Sequence, residues 1–200
     1  MCSRPATALV CPKCEADVAS QPYSSAVITS VGLRVYVWGT YRDRLRRLLE
    51  LLKYAREPAL GDWLGERVGR WWLNRGYPRH GYWVAAVPIH PERRQERGYN
   101  QAERIARGFS DRTGLPFYDC LARARATPAL HGLNPEQRQL TLHGAFKLIR
   151  PVNQRSILLV DDILTTGSTL RACATELERS NCTSVEAVVV ARPAFNRSDR

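Results

Sequence analysis

Four apolar residues, Ile157-Leu158-Leu159-Val160, run directly into two acids, Asp161-Asp162, and then into a turn of small residues, Thr165-Thr166-Gly167-Ser168-Thr169. A continuous apolar run of this length reads as a strand buried on both faces, which belongs in a parallel sheet covered by helices. Leu170, Cys173, Ala174 and Leu177 recur at helical spacing and predict a helix immediately after the turn. Strand, turn and helix in that order put the turn at the C-terminal edge of a sheet, where open α/β folds bind ligands. Backbone N–H groups around Gly167 can cradle a phosphate at the helix N-terminus, and the hydroxyls of Thr165, Thr166, Ser168 and Thr169 add donors. Asp161 and Asp162 stand about one sugar's breadth away, where carboxylates accept hydrogen bonds from vicinal ribose hydroxyls. The ligand that fits is a ribose 5-phosphate.

The rest of the chain alternates in the same way. Leu33 to Trp38 reads as a strand stopped by Gly39. Tyr41, Leu45, Leu48, Leu49 and Leu52 predict an amphipathic helix over 41–53, with Arg42, Arg46 and Lys53 along one flank. Pro58 suits the first turn of a second helix ending near Gly76. Its apolar stripe includes Trp63, Trp71 and Trp72, so the tryptophans read as core. Trp83 to Ile89 is a second buried strand, and Ala102, Ile105, Ala106 and Phe109 face inward from a helix over 99–110. Leu115 to Leu121 reads as a strand, 122–143 as a long arginine-bearing loop, and Val185 to Ala191 as a closing strand. This alternation predicts an α/β fold around a parallel sheet. Residues 1–32 stand apart, with three of the six cysteines and little periodicity. The expected organisation is an N-terminal segment, 1–32, and one domain, 33–200.

No stretch approaches the roughly 20 apolar residues of a membrane span. The start of the chain lacks a secretory signal's apolar centre, so the expected location is the cytoplasm, where thiols stay reduced. The formal net charge is +11, and 27 of the 30 basic residues are arginine. Such a surface attracts phosphates on a polymer, a nucleotide or an acidic partner, although charge alone does not choose among them.

The segment from Ile157 to Thr169 resembles the phosphoribosyl pyrophosphate (PRPP) signature of type I phosphoribosyltransferases: apolar residues, two acids, Thr-Thr-Gly and a hydroxyl pair. A second segment, Val87-Pro88-Ile89-His90-Pro91-Glu92-Arg93-Arg94-Gln95-Glu96-Arg97-Gly98-Tyr99-Asn100-Gln101, resembles the signature of the ComF competence family within that superfamily. The resemblance implies a phosphoribosyltransferase-like parallel sheet flanked by helices, with a flexible hood loop and a zinc-ribbon-like N-terminus. It assigns ribose contacts, and with them any catalytic role, to Asp161 and Asp162. The 5-phosphate falls to Thr165, Thr166, Gly167, Ser168 and Thr169. Lys53, in Leu52-Lys53-Tyr54, stands where relatives carry a pyrophosphate loop. Arg93, Arg94, Arg97 and Asn100 are expected to meet pyrophosphate or DNA phosphate. Arg123, Arg125, Thr127, Arg138, Gly144, Ala145 and Phe146 match the hood, whereas Leu130 and Thr141 replace its Gln and Asn.

The family's four-cysteine zinc ribbon is degenerate here: Cys11-Pro12-Lys13-Cys14 is one intact pair, and Cys2-Ser3-Arg4-Pro5 is half of another. A structural zinc needs four ligands, so none is expected, and no protein-bound metal site is assigned. The resemblance implies Mg²⁺ accompanying PRPP, binding of single-stranded DNA with Tyr99 as an exposed stacking ring, and DNA-uptake or recombination proteins as partners in natural transformation. Two other readings stay open. One is a salvage phosphoribosyltransferase acting on a small acceptor. The other is a non-catalytic sensor of PRPP or a nucleotide.

Overall fold

The computed structural model describes residues 8–125, 141–142 and 144–194. Its centre is a five-stranded sheet of β1 (Val27–Ser30), β2 (Leu33–Thr40), β3 (Tyr82–Ala86), β6 (Ser156–Ile163) and β7 (Ser184–Arg192), ordered β1-β2-β7-β6-β3. All neighbours run parallel except β1, which forms an antiparallel hairpin with β2. The expected parallel α/β sheet is therefore present, with one antiparallel edge. A separate ribbon pairs β4 (Leu121–Arg123) with β5 (Phe146–Leu148). The central strands β6 and β7 are buried along most of their length, which is why they read as apolar runs.

Helices α2 (Asp43–Tyr54), α3 (Ala59–Asn74) and α5 (Gln101–Thr113) follow the predicted stripes. Helix α5 runs three residues beyond its predicted end because Gly114, at φ 79°, caps it. The helix after the phosphate turn, α6, spans Ser168–Glu178. No helix among the described residues is long and apolar enough to cross a membrane.

Several expectations are corrected. Residues 12–19 form a helix, α1 (Pro12–Ala19), with Pro12 at its first turn and only Cys14 and Val18 buried, too few to give a visible period. It joins the same core as the sheet, and β1 hydrogen-bonds along β2 across the expected boundary at 32/33. The segment after Pro88 holds another short helix, α4 (Pro91–Arg97), which buries nothing and so carries no hydrophobic signal. Most of 115–121 is not a strand: Phe117 makes one isolated bridge to Val84, and β4 starts at Leu121. Of the α3 tryptophans, only Trp72 is fully buried; Trp63 and Trp71 are partly buried and pack against the core from its edge.

Candidate functional site

Parallel register aligns the C-terminal ends of the strands, with Asp161 opposite Val189, Ile163 opposite Ala191 and Thr40 opposite Arg192. Consecutive strand residues point to opposite faces, so Asp161 and Asp162 part company at this edge. Asp162 is 5% exposed, and its Oδ2 lies 2.5 Å from Lys53 Nζ at the last turn of α2. Asp161 is half-buried, and it adds to burial in pushing up the Cys173 thiol of α6. Burial and the neighbouring Asp162 carboxylate push the Asp161 carboxyl well above the ordinary value. Burial would do the same to Asp162, but Lys53, and more weakly Arg97, overcome it and hold that carboxyl below its usual range. Burial works against the charged form of Lys53, and Asp162 then Asp161 reverse this, so its pKa is raised. One acid is thus held as a paired carboxylate while the other carries a disfavoured charge, and a donor or cation arriving at Asp161 relieves it.

The end of α2 is fastened to α4 and the turn after it. The Tyr99 hydroxyl donates to the Leu52 carbonyl, and Arg56 Nη2 donates to the Glu96 carbonyl at 3.2 Å. Arg97 lies 6.0 Å from the Tyr54 ring centre and donates to Gln101. Arg56 has φ 54°, a left-handed conformation disfavoured for a non-glycine residue. The expected Lys53 is therefore paired with Asp162, while Arg97, beside Tyr54, is near enough to help lower that carboxyl's pKa. Tyr54 enters the sequence reading only as part of Leu52-Lys53-Tyr54, and Arg56 not at all, because a lone arginine after a helix carries no periodic signal.

The other basic candidates divide. Arg94 is paired with Glu103 at 3.1 Å, whereas Arg93 is exposed and lies close enough to Arg123 to lower that group's pKa, after burial. The expected phosphate role of Asn100 is not supported. Its Nδ2 donates to the Val87 carbonyl at 3.0 Å and its Oδ1 accepts from the Ala102 N–H at 3.1 Å, so both ends of the buried amide hold the β3-to-α5 connection. Tyr99 is likewise a structural clamp, not an exposed stacking ring; the exposed ring here is Tyr54, at 78%.

Thr165 and Thr166 are exposed beyond β6, and Ser168 and Thr169 open α6. Gly167 precedes them at φ 78°, and the Thr166 and Ser168 hydroxyl oxygens are 3.0 Å apart. A Cβ on Gly167 would come within 2.9 Å of both Val31 methyls, because the β1–β2 hairpin tip closes on the loop. Val31 is 136 positions away in sequence, and nothing local announces that contact. A cleft of about 490 Å³ opens from this loop, lined by Thr165, Thr166, Ser168, Arg171, Phe146 and Val31 among others. Arg123 of the hood stem lies over the Phe146 ring, and Arg125 donates to the Thr141 carbonyl. Thr127, Leu130 and Arg138 lie outside the described residues, as does Cys2. Among the described residues, no group of three or more His, Cys, Asp or Glu side chains is placed to hold a metal. The Asp161 carboxylate and the hydroxyls of the turn are oxygen donors, the ligand type a hard cation takes, whereas the Asp162 carboxylate is occupied by Lys53.

Residues 96–199 match the model of the phosphoribosyl transferase domain. The chain is 33% identical over 104 residues to DNA utilization protein YhgH of Escherichia coli, covering 52% of this chain and 46% of that one. It is 31% identical over 113 residues to competence protein F of Haemophilus influenzae, covering 54% and 49%. Competence protein ComFC of Streptococcus pneumoniae is 27% identical over 154 residues, covering 76% and 66%. The chain spans about half the length of the first two relatives. Among solved structures, a hypoxanthine phosphoribosyltransferase from Staphylococcus aureus superposes with a TM-score of 0.41 at 13% identity, covering 66% of this chain and 62% of that one.

Proposed function

Because the chain belongs to the phosphoribosyl transferase domain family, we propose that it binds PRPP, as its Mg²⁺ complex, at the C-terminal end of β6 and couples this site to single-stranded DNA in support of DNA uptake in the cytoplasm. The observation that carries this reading is the joining of two half-sites by one strand. Asp161 and Asp162 lie among the last residues of β6, the Gly167 turn leads from that strand into α6, and Lys53 of α2 is paired with Asp162. In this reading the α6 turn takes the 5-phosphate through backbone N–H groups and hydroxyls. Asp161 and Asp162 receive the ribose hydroxyls, and the guanidinium of Arg97 faces the pyrophosphate. Lys53, already held against Asp162, supplies the second cation. Mg²⁺ belongs to the substrate complex and neutralises the diphosphate.

Phosphoribosyl transfer breaks the bond from C1 to the pyrophosphate oxygen and forms one from C1 to the acceptor. The transition state places positive charge on the sugar, so the protein's work is positioning and charge stabilisation, and no protein nucleophile is required. The names of the relatives, two competence proteins and a DNA utilization protein, support the DNA arm of the reading. Natural transformation is thus the proposed setting, with DNA-uptake or recombination proteins as partners. The test is a screen of pyrophosphate release and binding with PRPP, nucleobases and single-stranded DNA. The expected result is binding of both PRPP and DNA. Base-dependent pyrophosphate release without DNA binding would instead select a salvage enzyme, and PRPP binding alone would select a sensor.

A further inference from the structure

A groove of about 260 Å³ lies between α1 and α3, beside β2, and shares no residue with the strand-end site. Trp63, Arg67, Arg70 and Trp71 recur at helical spacing along one face of α3 and line it together with Trp38 of β2, Arg75 at the end of α3, and Glu15 of α1. Trp72, next in the chain, behaves as core. It is fully buried against Tyr36 and Phe109, and its Nε1 donates to the Pro78 carbonyl at 2.8 Å. Trp38, Trp63 and Trp71 are only partly buried. Three partly buried indoles border one groove, with Trp71 also packed edge-on against Tyr77.

Cations line the same groove. Arg67 lies over the Trp63 ring, 5.1 Å from its centre, and is ion-paired with Glu15 at 2.9 Å and Glu66 at 2.6 Å. Arg70 reaches Glu15 at the longer distance of 3.4 Å, and Arg75 is exposed at the C-terminal end of α3. With Glu66 counted beside the lining, three guanidinium groups stand against two carboxylates, and the rim keeps a net positive charge at its exposed Arg75 end. A flat aromatic surface with excess positive charge at its rim complements unpaired bases joined by phosphates. A duplex hides its base faces in its own stack, and an uncharged apolar peptide leaves the rim charges unanswered.

We infer that this groove is a docking site for unpaired bases of single-stranded DNA, separate from the PRPP site; the inference rests on the DNA-binding reading above and gives it a location. Bases stack on Trp63 and Trp71, and the adjoining phosphates meet Arg70 and Arg75. The test is anisotropy of a fluorescein-labelled oligothymidylate titrated with wild-type protein, Trp63→Ala, Trp63→Phe, Arg70→Glu and Arg93→Ala/Arg94→Ala, with Mg²⁺–PRPP affinity measured in parallel. Trp63→Ala is expected to weaken DNA binding by about tenfold or more, the scale of losing one stacked base. Trp63→Phe recovers most of that loss, Arg70→Glu weakens binding with the indoles intact, and PRPP affinity is unchanged in all three. If Trp63→Ala misfolds, the Phe and Arg70→Glu variants decide. Wild-type affinity in the Trp63 and Arg70 variants, with loss in the Arg93/Arg94 variant, overturns the groove and leaves the DNA reading standing. No oligothymidylate binding by the wild type overturns that reading itself.

Discussion

The Lys53–Asp162 pair sets how this protein responds to acid. The Asp162 carboxyl titrates below 3.8 in the folded chain, so its stabilising contribution is present above that ordinary value and is lost as pH falls through the lowered native one. Asp161 has the opposite sign: its raised native value means that ionisation weakens the fold as pH rises through it. Lys53, raised above 10.5, contributes below that value and loses its contribution as pH rises through the native one. Replacing Lys53 with Met strands a buried carboxylate and should cost about 3–5 kcal/mol at neutral pH. Urea unfolding across pH checks this: the deficit should shrink on acidification, as Asp162 in the variant takes up a proton. A deficit independent of pH would contradict the pairing. Gly167→Ala acts on the other half-site, combining an unfavourable φ of 78° with contact at 2.9 Å to Val31. It should destabilise the fold by about 1–2 kcal/mol and reduce PRPP affinity more than tenfold by displacing the phosphate turn. Calorimetry of wild type and variant measures both effects.

At the scale of elements, the closest packing is between α3 and α5. Gly61, Gly65 and Gly69 follow one another at four-residue spacing along α3, and a Cβ at Gly65 would lie 2.2 Å from the Ile105 carbonyl oxygen and 2.7 Å from the Phe109 nitrogen. Backbone atoms cannot give way as a side chain can, so Gly65→Ala should destabilise by about 2–3 kcal/mol. A urea midpoint lowered with unchanged slope supports this, and an unchanged midpoint contradicts it. Cys14, buried on α1, should also lose stability as Ser, by about 1–2 kcal/mol, whereas partly exposed Cys11 should tolerate the change. Thermal melts of the two single variants distinguish these positions.

These elements also show where the sequence was informative. Strand β6, the turn after it and helix α6 were legible because burial on both faces, a glycine-centred turn and a helical stripe each leave a local pattern. Helix α4 was not legible, since it buries nothing, and α1 was not, since two inward residues make no period. At the site, the positions of Lys53, Arg97 and the two acids were readable from their motifs. The Asn100 amide was misjudged because an N-cap and a phosphate ligand have the same residue type, and only the contact with Val87 tells them apart. The clamp of Tyr99 on Leu52 and the approach of Val31 to Gly167 join residues far apart in the chain, which no local pattern reveals.

For the whole molecule, the charge of +11 makes partner binding an electrostatic question. Binding of single-stranded DNA should weaken linearly on a logarithmic salt scale, with a slope of about −0.7 for each phosphate neutralised. Mg²⁺–PRPP binding should respond less steeply, because its charges meet in a partly buried pocket. A DNA affinity unaffected by salt would contradict a role for the arginine surface. The central claim concerns the end of β6, and isothermal calorimetry of PRPP with Mg²⁺ tests it most directly. Wild-type protein, Asp161→Asn and Asp161→Asn/Asp162→Asn would be compared, with thermal melts confirming that each is folded. The account predicts saturable binding near one PRPP per chain for the wild type, weakened by the single change and abolished by the double one. Equal affinity in all three folded proteins, or no binding by the wild type, would contradict it.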